Sequence, residues 1–490
     1  MRNVIGRNAE IKEFEEVYCS KKAELVAVYG RRRVGKTFLI KSFFQSKECI
    51  HFQMTGIYKG TLRQQLARFS KELGATFYNG ATLKVSADWM EAFDELTKAV
   101  SQVSEKNKKI ILFFDELPWM VTRKSGAVSA LEYFWNRHWS DNEKIKLIVC
   151  GSAASWIIKK IIKNRGGLHN RITRKMRLLP FNLHDTFLFL KKIGYSCDQD
   201  QALKIYMIMG GVPFYLMQLK KNYSIDQNID KLFFNSGGLL FDEFSEVFSS
   251  LFENSDHYEE LISLIAKHKE GVSRKILKEK NKMTGEGGRL TKRLEDLENA
   301  GFITVHTPFE HEKRGVFYRI SDSYCYFYLK WIRVIKTRLQ QDRHSQFWKK
   351  TLHTPEYFNW MGYAFENVCY QHIPQIKTAL DLEDFSLSSS WRFTPKKNTT
   401  EKGAQIDLLF DRDDRAITLC EIKYTESPFL IDKQYVEQLN QKMTVFKKVT
   451  RTKKQLFLAL ISANGVKQNS YSKELLSGVV TSDDLFEREM

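Results

Sequence analysis

The sequence predicts an α/β chain of several domains, and three stretches carry that prediction. The first is the apolar run Val26-Ala27-Val28-Tyr29, followed by Gly30-Arg31-Arg32-Arg33-Val34-Gly35-Lys36-Thr37 and then by Phe38-Leu39-Ile40: strand, glycine-rich turn, helix. The second is Ile110-Ile111-Leu112-Phe113-Phe114 ahead of Asp115-Glu116, which reads as a fully buried parallel strand ending in acids. The third lies near the C-terminus, where Gly403–Phe410 and Ala416–Lys423 flank an acidic turn at Asp411–Asp414 and read as a two-stranded hairpin.

At 490 residues the chain has room for about three domains, and 43% hydrophobic content is ample for buried cores. The net charge of +19 points either to a polyanionic partner, nucleic acid first, or to a lysine-rich solvated surface. The seven cysteines show neither C-x-x-C nor zinc spacing and read as reduced core thiols. Residues Met1–Arg7 show no apolar signal core, and no run approaches the roughly 18 apolar residues that a membrane span needs. A cytoplasmic protein with no membrane partner is expected.

In chain order, Gly6-Arg7-Asn8-Ala9-Glu10 precedes Ile11, Phe14 and Val17-Tyr18 at helical spacing, as a packing helix or one lining an adenine pocket. In the P-loop, Gly30 and Gly35 turn the backbone so that the N–H groups of residues 30–37 face phosphate. Lys36 reaches the β- and γ-phosphates, and the Thr37 hydroxyl ligates Mg²⁺. Cys49–Phe52 reads as a strand. Asp115 is placed in the Mg²⁺ shell, with Glu116 orienting the attacking water. Ile145–Ser152 is a further buried strand, ending in Gly151-Ser152; Ser152 is a γ-phosphate sensor, an N-cap for the helix at Trp156–Ile162, or both. In Gly166-Gly167-Leu168-His169-Asn170-Arg171, Arg171 is the candidate arginine finger and Arg174 its competitor. Met176–Pro180 reads as the last strand, and amphipathic segments at 183–250 as a helical lid with a turn at Gly210-Gly211-Val212-Pro213.

These motifs, in this order, resemble the archaeal-type P-loop ATPases of the AAA+/STAND grouping over about residues 1–250. The resemblance implies an ASCE-type sheet, ATP as the nucleotide, and a switch more often than a fast motor.

The middle of the chain predicts a winged helix-turn-helix. Tyr258, Leu261-Ile262 and Leu264-Ile265 mark one helix, Val272–Leu277 begins a second, and Gly287–Gly301 holds a third; Phe302–Val305 and Val316–Ile320 are short strands. Arg289, Lys292 and Arg293 can enter a DNA groove, although Glu286, Glu295, Asp296 and Glu298 on the same segment oppose phosphate; a folding spacer is the alternative. Tyr324, Tyr326-Phe327-Tyr328, Trp331 and Phe347-Trp348 read as a packed connector.

In the C-terminal third, Glu366 lies on a helix, and period-two geometry puts Glu421 and Lys423 on one face of a strand, with Asp407 able to face them from its partner. Two close carboxylates, Asp407 and Glu421, make a hard-cation site, and a lysine beside them suits phosphodiester hydrolysis; an exposed ion pair on a surface hairpin is the bland reading. A helix near 430–448 and a strand at Gln455–Ile461 follow. This order is similar to the restriction-endonuclease-like PD-(D/E)XK fold, with Asp407, Glu421 and Lys423 matching its motif, Glu366 its helical acid, and Ile406 standing where the motif has proline.

The full expectation is an α/β multidomain chain. It comprises a P-loop ASCE ATPase core at 1–182, a helical lid at 183–250, a winged helix at 251–322, a helical connector at 323–350 and a restriction-endonuclease-like domain at 351–490. The expected cofactors are ATP and Mg²⁺. The expected partner is DNA, with a protein partner or a nucleotide-dependent homo-oligomer as further possibilities. The expected function is a nucleotide switch that controls a DNA-directed nuclease-like module. Its alternatives are a regulatory ATPase with an inert C-terminal domain and an oligomeric remodeller.

Overall fold

A computed structural model of the chain describes residues 4–103, 108–122, 125–163, 166–168, 170–280, 287–309, 315–341, 347–395 and 402–488. His169 and Glu286 lie outside these residues. The chain divides into two compact units, one of residues 1–180 with 299–301 and the other of residues 181–298 with 302–490.

The first unit is built on β1 (Glu24–Tyr29), β2 (Cys49–Thr55), β3 (Lys109–Asp115), β4 (Ile145–Gly151) and β5 (Arg174–Arg177). They form one sheet ordered β2-β3-β4-β1-β5, with every neighbouring pair parallel. A parallel sheet is covered on both faces, and side-chain alternation divides its residues between two cores. Leu25, Ala27, Leu112, Phe114, Leu147 and Val149 enter one core with Trp89, Phe93 and Trp139. Val26, Val28, Ile111, Phe113, Ile148 and Cys150 enter the other with Phe14, Phe43 and Phe44. Both faces being buried explains why these strands read as unbroken apolar runs.

In this unit two strands depart from their sequence expectation by more than a residue. β2 continues to Thr55 because it pairs with β3 along its full length, out to Thr55 opposite Asp115. The last strand lies at Arg174–Arg177, not Met176–Pro180. It is an edge strand paired only with β1, so it buries only Met176 and lacks an apolar pattern. Leu178, which draws the sequence reading toward the C-terminus, is buried beyond the strand, and Leu179 is exposed.

The second unit begins with helices at Leu183–Lys192, Gln199–Met209, Pro213–Leu216, Ile225–Phe233 and Glu243–Leu251. The glycine pair between the second and third has two distinct physical reasons. Gly210 ends its helix at φ +65°, while a Cβ on Gly211 would lie 1.9 Å from the Phe181 carbonyl oxygen. Pro213 then opens the next helix at a position where its missing N–H is harmless.

Next come a helix at Ser255–Ala266, β6 (Val272–Ser273), helices at Arg274–Lys280 and Gly287–Asn299, β7 (Ile303–His306) and β8 (Phe317–Ile320). The strands form an antiparallel sheet ordered β6-β8-β7. Of the acids on the Gly287–Asn299 helix, Asp296 turns inward and accepts a 2.9 Å hydrogen bond from Tyr258 Oη, whereas Glu295 and Glu298 are exposed with Arg289 and Lys292. The aromatic stretch that follows is core: Tyr324, Trp331 and Trp348 are buried, and Phe234 stacks on Trp348 at 5.4 Å and 16°.

The last sheet contains β9 (Leu387–Phe393), β10 (Ala404–Asp411), β11 (Ala416–Lys423), β12 (Gln455–Ser462) and β13 (Gly478–Val480), ordered β13-β12-β11-β10-β9. β9, β10 and β11 are antiparallel; β11, β12 and β13 are parallel. The helix at Lys433–Thr450 packs Phe446 against Trp391, Leu409 and Leu419.

His372 is fully buried in this unit. Its Nδ1 lies 2.7 Å from the Val368 carbonyl oxygen, and its Nε2 accepts from the Leu183 N–H at 3.0 Å. An acceptor Nε2 requires the neutral ring, and burial, opposed by the Val368 bond, pushes the pKa down to about 4. The unfolded chain therefore binds a proton that the folded chain refuses between the ordinary histidine value and about 4. The resulting stability is present at neutral pH and is lost as pH falls through that window. At pH 5 the loss is about 2 kcal/mol relative to pH 8. His372→Gln is expected to shrink the pH 8-to-5 change in urea-unfolding free energy by about that amount; an unchanged pH dependence would contradict the assignment.

Candidate functional site

The loop between β1 and the helix Lys36–Phe44 is shaped by backbone demands that only glycine meets at two positions. Gly30 has φ +146°, and an added Cβ would lie 2.2 Å from the Leu178 carbonyl oxygen. Gly35 has φ +90° with no heavy atom within 4 Å of an added Cβ, so there the backbone alone requires glycine. Between them Arg31 and Val34 are buried, Arg32 and Arg33 are half-buried, and Arg33 itself has φ +73°.

Lys36 folds back over the loop. Its Nζ donates to the carbonyl oxygens of Gly30 at 3.0 Å and Arg31 at 2.8 Å. Thr37 Oγ1 lies 3.0 Å from both carboxylate oxygens of Asp115 at the end of β3, and Thr55 Oγ1 lies 3.4 Å from one of them. The next residue, Glu116, has φ +48°, and its Oε2 accepts from Ser152 N and Oγ, each at 2.9 Å. The Ser152 hydroxyl therefore serves Glu116. It does not cap the following helix, Ala154–Ile157, whose cap residue is Ala153.

The topology explains the convergence. β1 and β3 are separated by β4, so the loop after β1, the acids after β3 and Ser152 after β4 meet at the carboxyl edge of the sheet. Thr37 and Asp115 offer hard oxygen donors, a set that fits Mg²⁺.

Arg7 is the residue here that sequence reasoning missed. In the left-handed conformation at φ +60°, it donates from Nη2 to the carbonyl oxygens of Val34 at 3.3 Å and Leu179 at 2.7 Å, and pairs with Glu10 at 3.3 Å. Its signal was the Gly6-Arg7-x-x-Glu10 pattern, whose helical reading gave the arginine no task. Arg171 is exposed on a turn, its N–H donating to the Leu168 carbonyl oxygen at 3.1 Å. Among the described residues its guanidinium makes no hydrogen bond to residues 30–37. Arg174 sits on β5, 3.9 Å from Glu16.

The C-terminal acids also come together. Asp407 on β10 accepts from the Ile422 N–H at 3.1 Å and from Gln405 Nε2 at 3.3 Å. Glu421 on β11 is 1% exposed; its Oε1 accepts from Lys442 Nζ at 2.6 Å and its Oε2 lies 3.9 Å from Lys423 Nζ. Glu366, on the helix Pro355–Gln371, pairs with Arg319 Nη2 of β8 at 2.7 Å. Arg319 Nε also donates to Asn367 Oδ1 at 3.0 Å, and its Cζ lies 4.5 Å from the Tyr370 ring centre. Burial raises the Glu366 carboxyl above the usual carboxylate range, with Arg319 opposing it; burial, then the charge of Asp407, raises Glu421. Burial works against the Arg319 cation too, but the charge of Glu366 leads the effects that hold it more firmly protonated than usual.

These oxygens are hard donors, yet they do not fit a three-carboxylate Mg²⁺ centre as they stand. Among the described residues no three acid, histidine or cysteine side chains form a metal-holding group, and Arg319 and Lys442 already neutralise two of the acids.

A glycine-rich phosphate loop, with a hydroxyl–carboxylate pair at the edge of a five-stranded parallel sheet, defines a P-loop ATPase core. A family comparison agrees. Residues 5–219 match a family model described as an ATPase domain predominantly from Archaea, and residues 328–441 match one described as archaeal and bacterial proteins of unknown function. An uncharacterized protein of Methanocaldococcus jannaschii is 24% identical over 431 residues, covering 86% of this chain and 88% of that one. An uncharacterized ATP-binding protein of the same organism is 46% identical over 44 residues, covering 9% of this chain and 75% of that one. Among solved structures, a Walker-type ATPase of Pyrococcus abyssi has a TM-score of 0.48 at 17% identity, covering 66% of this chain and 96% of that one. The Aeropyrum pernix ORC2 protein in its ADPNP-ADP complexes has a TM-score of 0.45 at 15% identity, covering 70% of this chain and 98% of that one. The chain is a mixed α/β multidomain protein with a nucleotide-binding P-loop ATPase core. Among its described residues no helix is long and apolar enough to cross a membrane.

Proposed function

We propose that ATP binding and hydrolysis in the P-loop core control a DNA-directed, nuclease-like module in the C-terminal third. The proposed division of the chain is the core at 1–182, a lid at 183–250, a winged helix at 251–322, a connector at 323–350 and the nuclease-like domain at 351–490. In the core, Lys36 and the loop N–H groups bind the nucleotide phosphates, and Thr37 and Asp115 hold Mg²⁺. When bound, the ion supplies charge neutralisation at the phosphates. Glu116, held by two hydrogen bonds from Ser152, orients water toward the γ-phosphate. Arg171 is the candidate finger contributed within the chain or between copies. The module acts on DNA, in the cytoplasm.

The observation that supports the nuclease part is that Asp407 and Glu421 lie on adjacent strands, with Lys423 Nζ 3.9 Å from Glu421 Oε2 and the buried Glu366 on a helix that packs against β11. The β6-β8-β7 sheet and its three helices support the winged-helix reading. The test is cleavage of plasmid and linear DNA with Mg²⁺ or Mn²⁺, with and without ATP. Lys423→Ala is expected to cut at least about 10²-fold more slowly than wild type, and Lys36→Ala to remove the ATP dependence. Cutting unchanged by Lys423→Ala would end the nuclease reading.

A second reading, a regulatory ATPase with a catalytically inert C-terminal module, is favoured by the pairing of Glu366 with Arg319 and of Glu421 with Lys442. Intact ATP hydrolysis with no cutting under any condition would select it. An oligomeric remodeller would instead show nucleotide-dependent assembly that Arg171→Ala abolishes.

A further inference from the structure

A cavity of about 650 Å³ opens onto the Glu366–Asp407 cluster, and two different parts of the second unit build it. β6, the start of the helix Arg274–Lys280 and β8 form one wall; β9, β10 and the helix Pro355–Gln371 form the other. The mouth is basic. Arg274, Lys275 and Arg392 are exposed there, and Arg392 forms an ion pair with Glu270 across it. Arg274 also donates to Thr291 Oγ1 at 2.6 Å, which fixes its side chain at the rim. The floor is Glu366 and Asp407, with Arg319 between the walls.

We propose that this cavity receives a single-stranded DNA segment and delivers its backbone to the acid cluster. This inference rests on the nuclease-like reading and names the substrate class of that same site. Three arguments support it. A 650 Å³ volume is of the size that encloses a drug-sized ligand, enough for one or two nucleotides and too small to admit a duplex. Cations at the rim suit the phosphates of a polyanion, and the Arg319 guanidinium at the floor offsets the Glu366 carboxylate there. Half-buried Tyr370 and Phe317 among the lining residues give apolar and aromatic surface of the kind that single strands use and paired bases do not expose. The helix Gly287–Asn299, by contrast, interleaves Arg289 and Lys292 with exposed Glu295 and Glu298, a weak surface for phosphate.

The test is fluorescence anisotropy with the full chain, a labelled 12-nucleotide poly-dT, and a blunt duplex of the same length, in EDTA so that cleavage does not interfere. Poly-dT is expected to bind at least tenfold more tightly than the duplex. Charge reversal at the rim, Arg274→Glu with Lys275→Glu, is expected to weaken poly-dT binding at least tenfold and to flatten its salt dependence. Arg289→Glu with Lys292→Glu is expected to weaken it less than the rim pair does. A poly-rU arm separates the sugar: tighter binding to RNA than to DNA overturns the DNA assignment. Equal or tighter duplex binding, or rim variants that bind as wild type while remaining folded by circular dichroism, overturns the proposal. The two readings fail separately. Lys423-dependent cutting of duplex plasmid without single-strand preference leaves the nuclease standing and removes this cavity as its entrance; rim-dependent poly-dT binding without any cutting leaves the cavity as a binding site and removes the nuclease.

Discussion

Lys36→Ala is expected to lose the thermal stabilisation given by ATP and to hydrolyse ATP at least about 10²-fold more slowly than wild type. In the structure the Lys36 ammonium is tied to the Gly30 and Arg31 carbonyl oxygens, bonds that hold the charge over the loop. Alanine removes both the charge and the clasp. A ligand at about 100 times its Kd stabilises the folded state by about 2.7 kcal/mol, so the lost binding is readable by scanning fluorimetry. Glu116→Gln is the informative companion. Its amide oxygen can still accept from Ser152, so binding is expected to survive, while turnover measured by phosphate release falls by a comparable factor. If Lys36→Ala binds and turns over ATP as wild type does, the loop is not the nucleotide site. If Glu116→Gln turns over normally, the water-orienting role belongs elsewhere.

The first half of the chain was legible because its chemistry is local. Gly30 to Thr37 is one continuous segment whose conformation and function depend on the same residues, and β3 announces itself because burial on both faces leaves only apolar residues before Asp115. The join between the two segments was also inferable, since strand ends in a parallel sheet share an edge. What escaped was Arg7. Its bonds go to the carbonyl oxygens of Val34 and Leu179, and backbone acceptors carry no sequence signature. β5 was misplaced for a related reason: an edge strand with one buried side chain has no pattern to read.

The C-terminal site shows the limit more sharply. Asp407, Glu421 and Lys423 could be placed together because a short turn joins their strands. The cations that complete the cluster could not. Lys442 arrives from a helix beyond β11, and Arg319 from a different sheet that precedes the whole domain in sequence. β9 was missed as well, since Leu387-Ser388-Ser389-Ser390-Trp391 is an edge strand with Trp391 as its one core residue. The sequence thus showed which acids could meet, and tertiary packing decided that Glu366 and Glu421 meet already paired with cations. That is why the nuclease and regulatory readings separate on cations that no motif contains.

The Arg319–Glu366 pair decides whether those acids are kept for structure or for chemistry. Both partners are buried, with the guanidinium 2.7 Å from the carboxylate and also bonded to Asn367. Removing one member leaves the other charge without its partner in a low-dielectric site. Arg319→Met is therefore expected to lose about 3–5 kcal/mol of unfolding free energy by urea titration, and Arg319→Met with Glu366→Leu to recover most of it, because desolvating two charges offsets what their attraction returns. A single variant that loses less than about 1 kcal/mol would place the pair among exposed contacts of little weight. With stability restored in the double variant, and where the wild type cuts DNA, cleavage becomes the deciding measurement. A stable double variant that no longer cuts assigns the pair to the chemistry of the site. A stable double variant that cuts as wild type assigns the pair to folding, and leaves Asp407, Glu421 and Lys423 to carry the reaction alone.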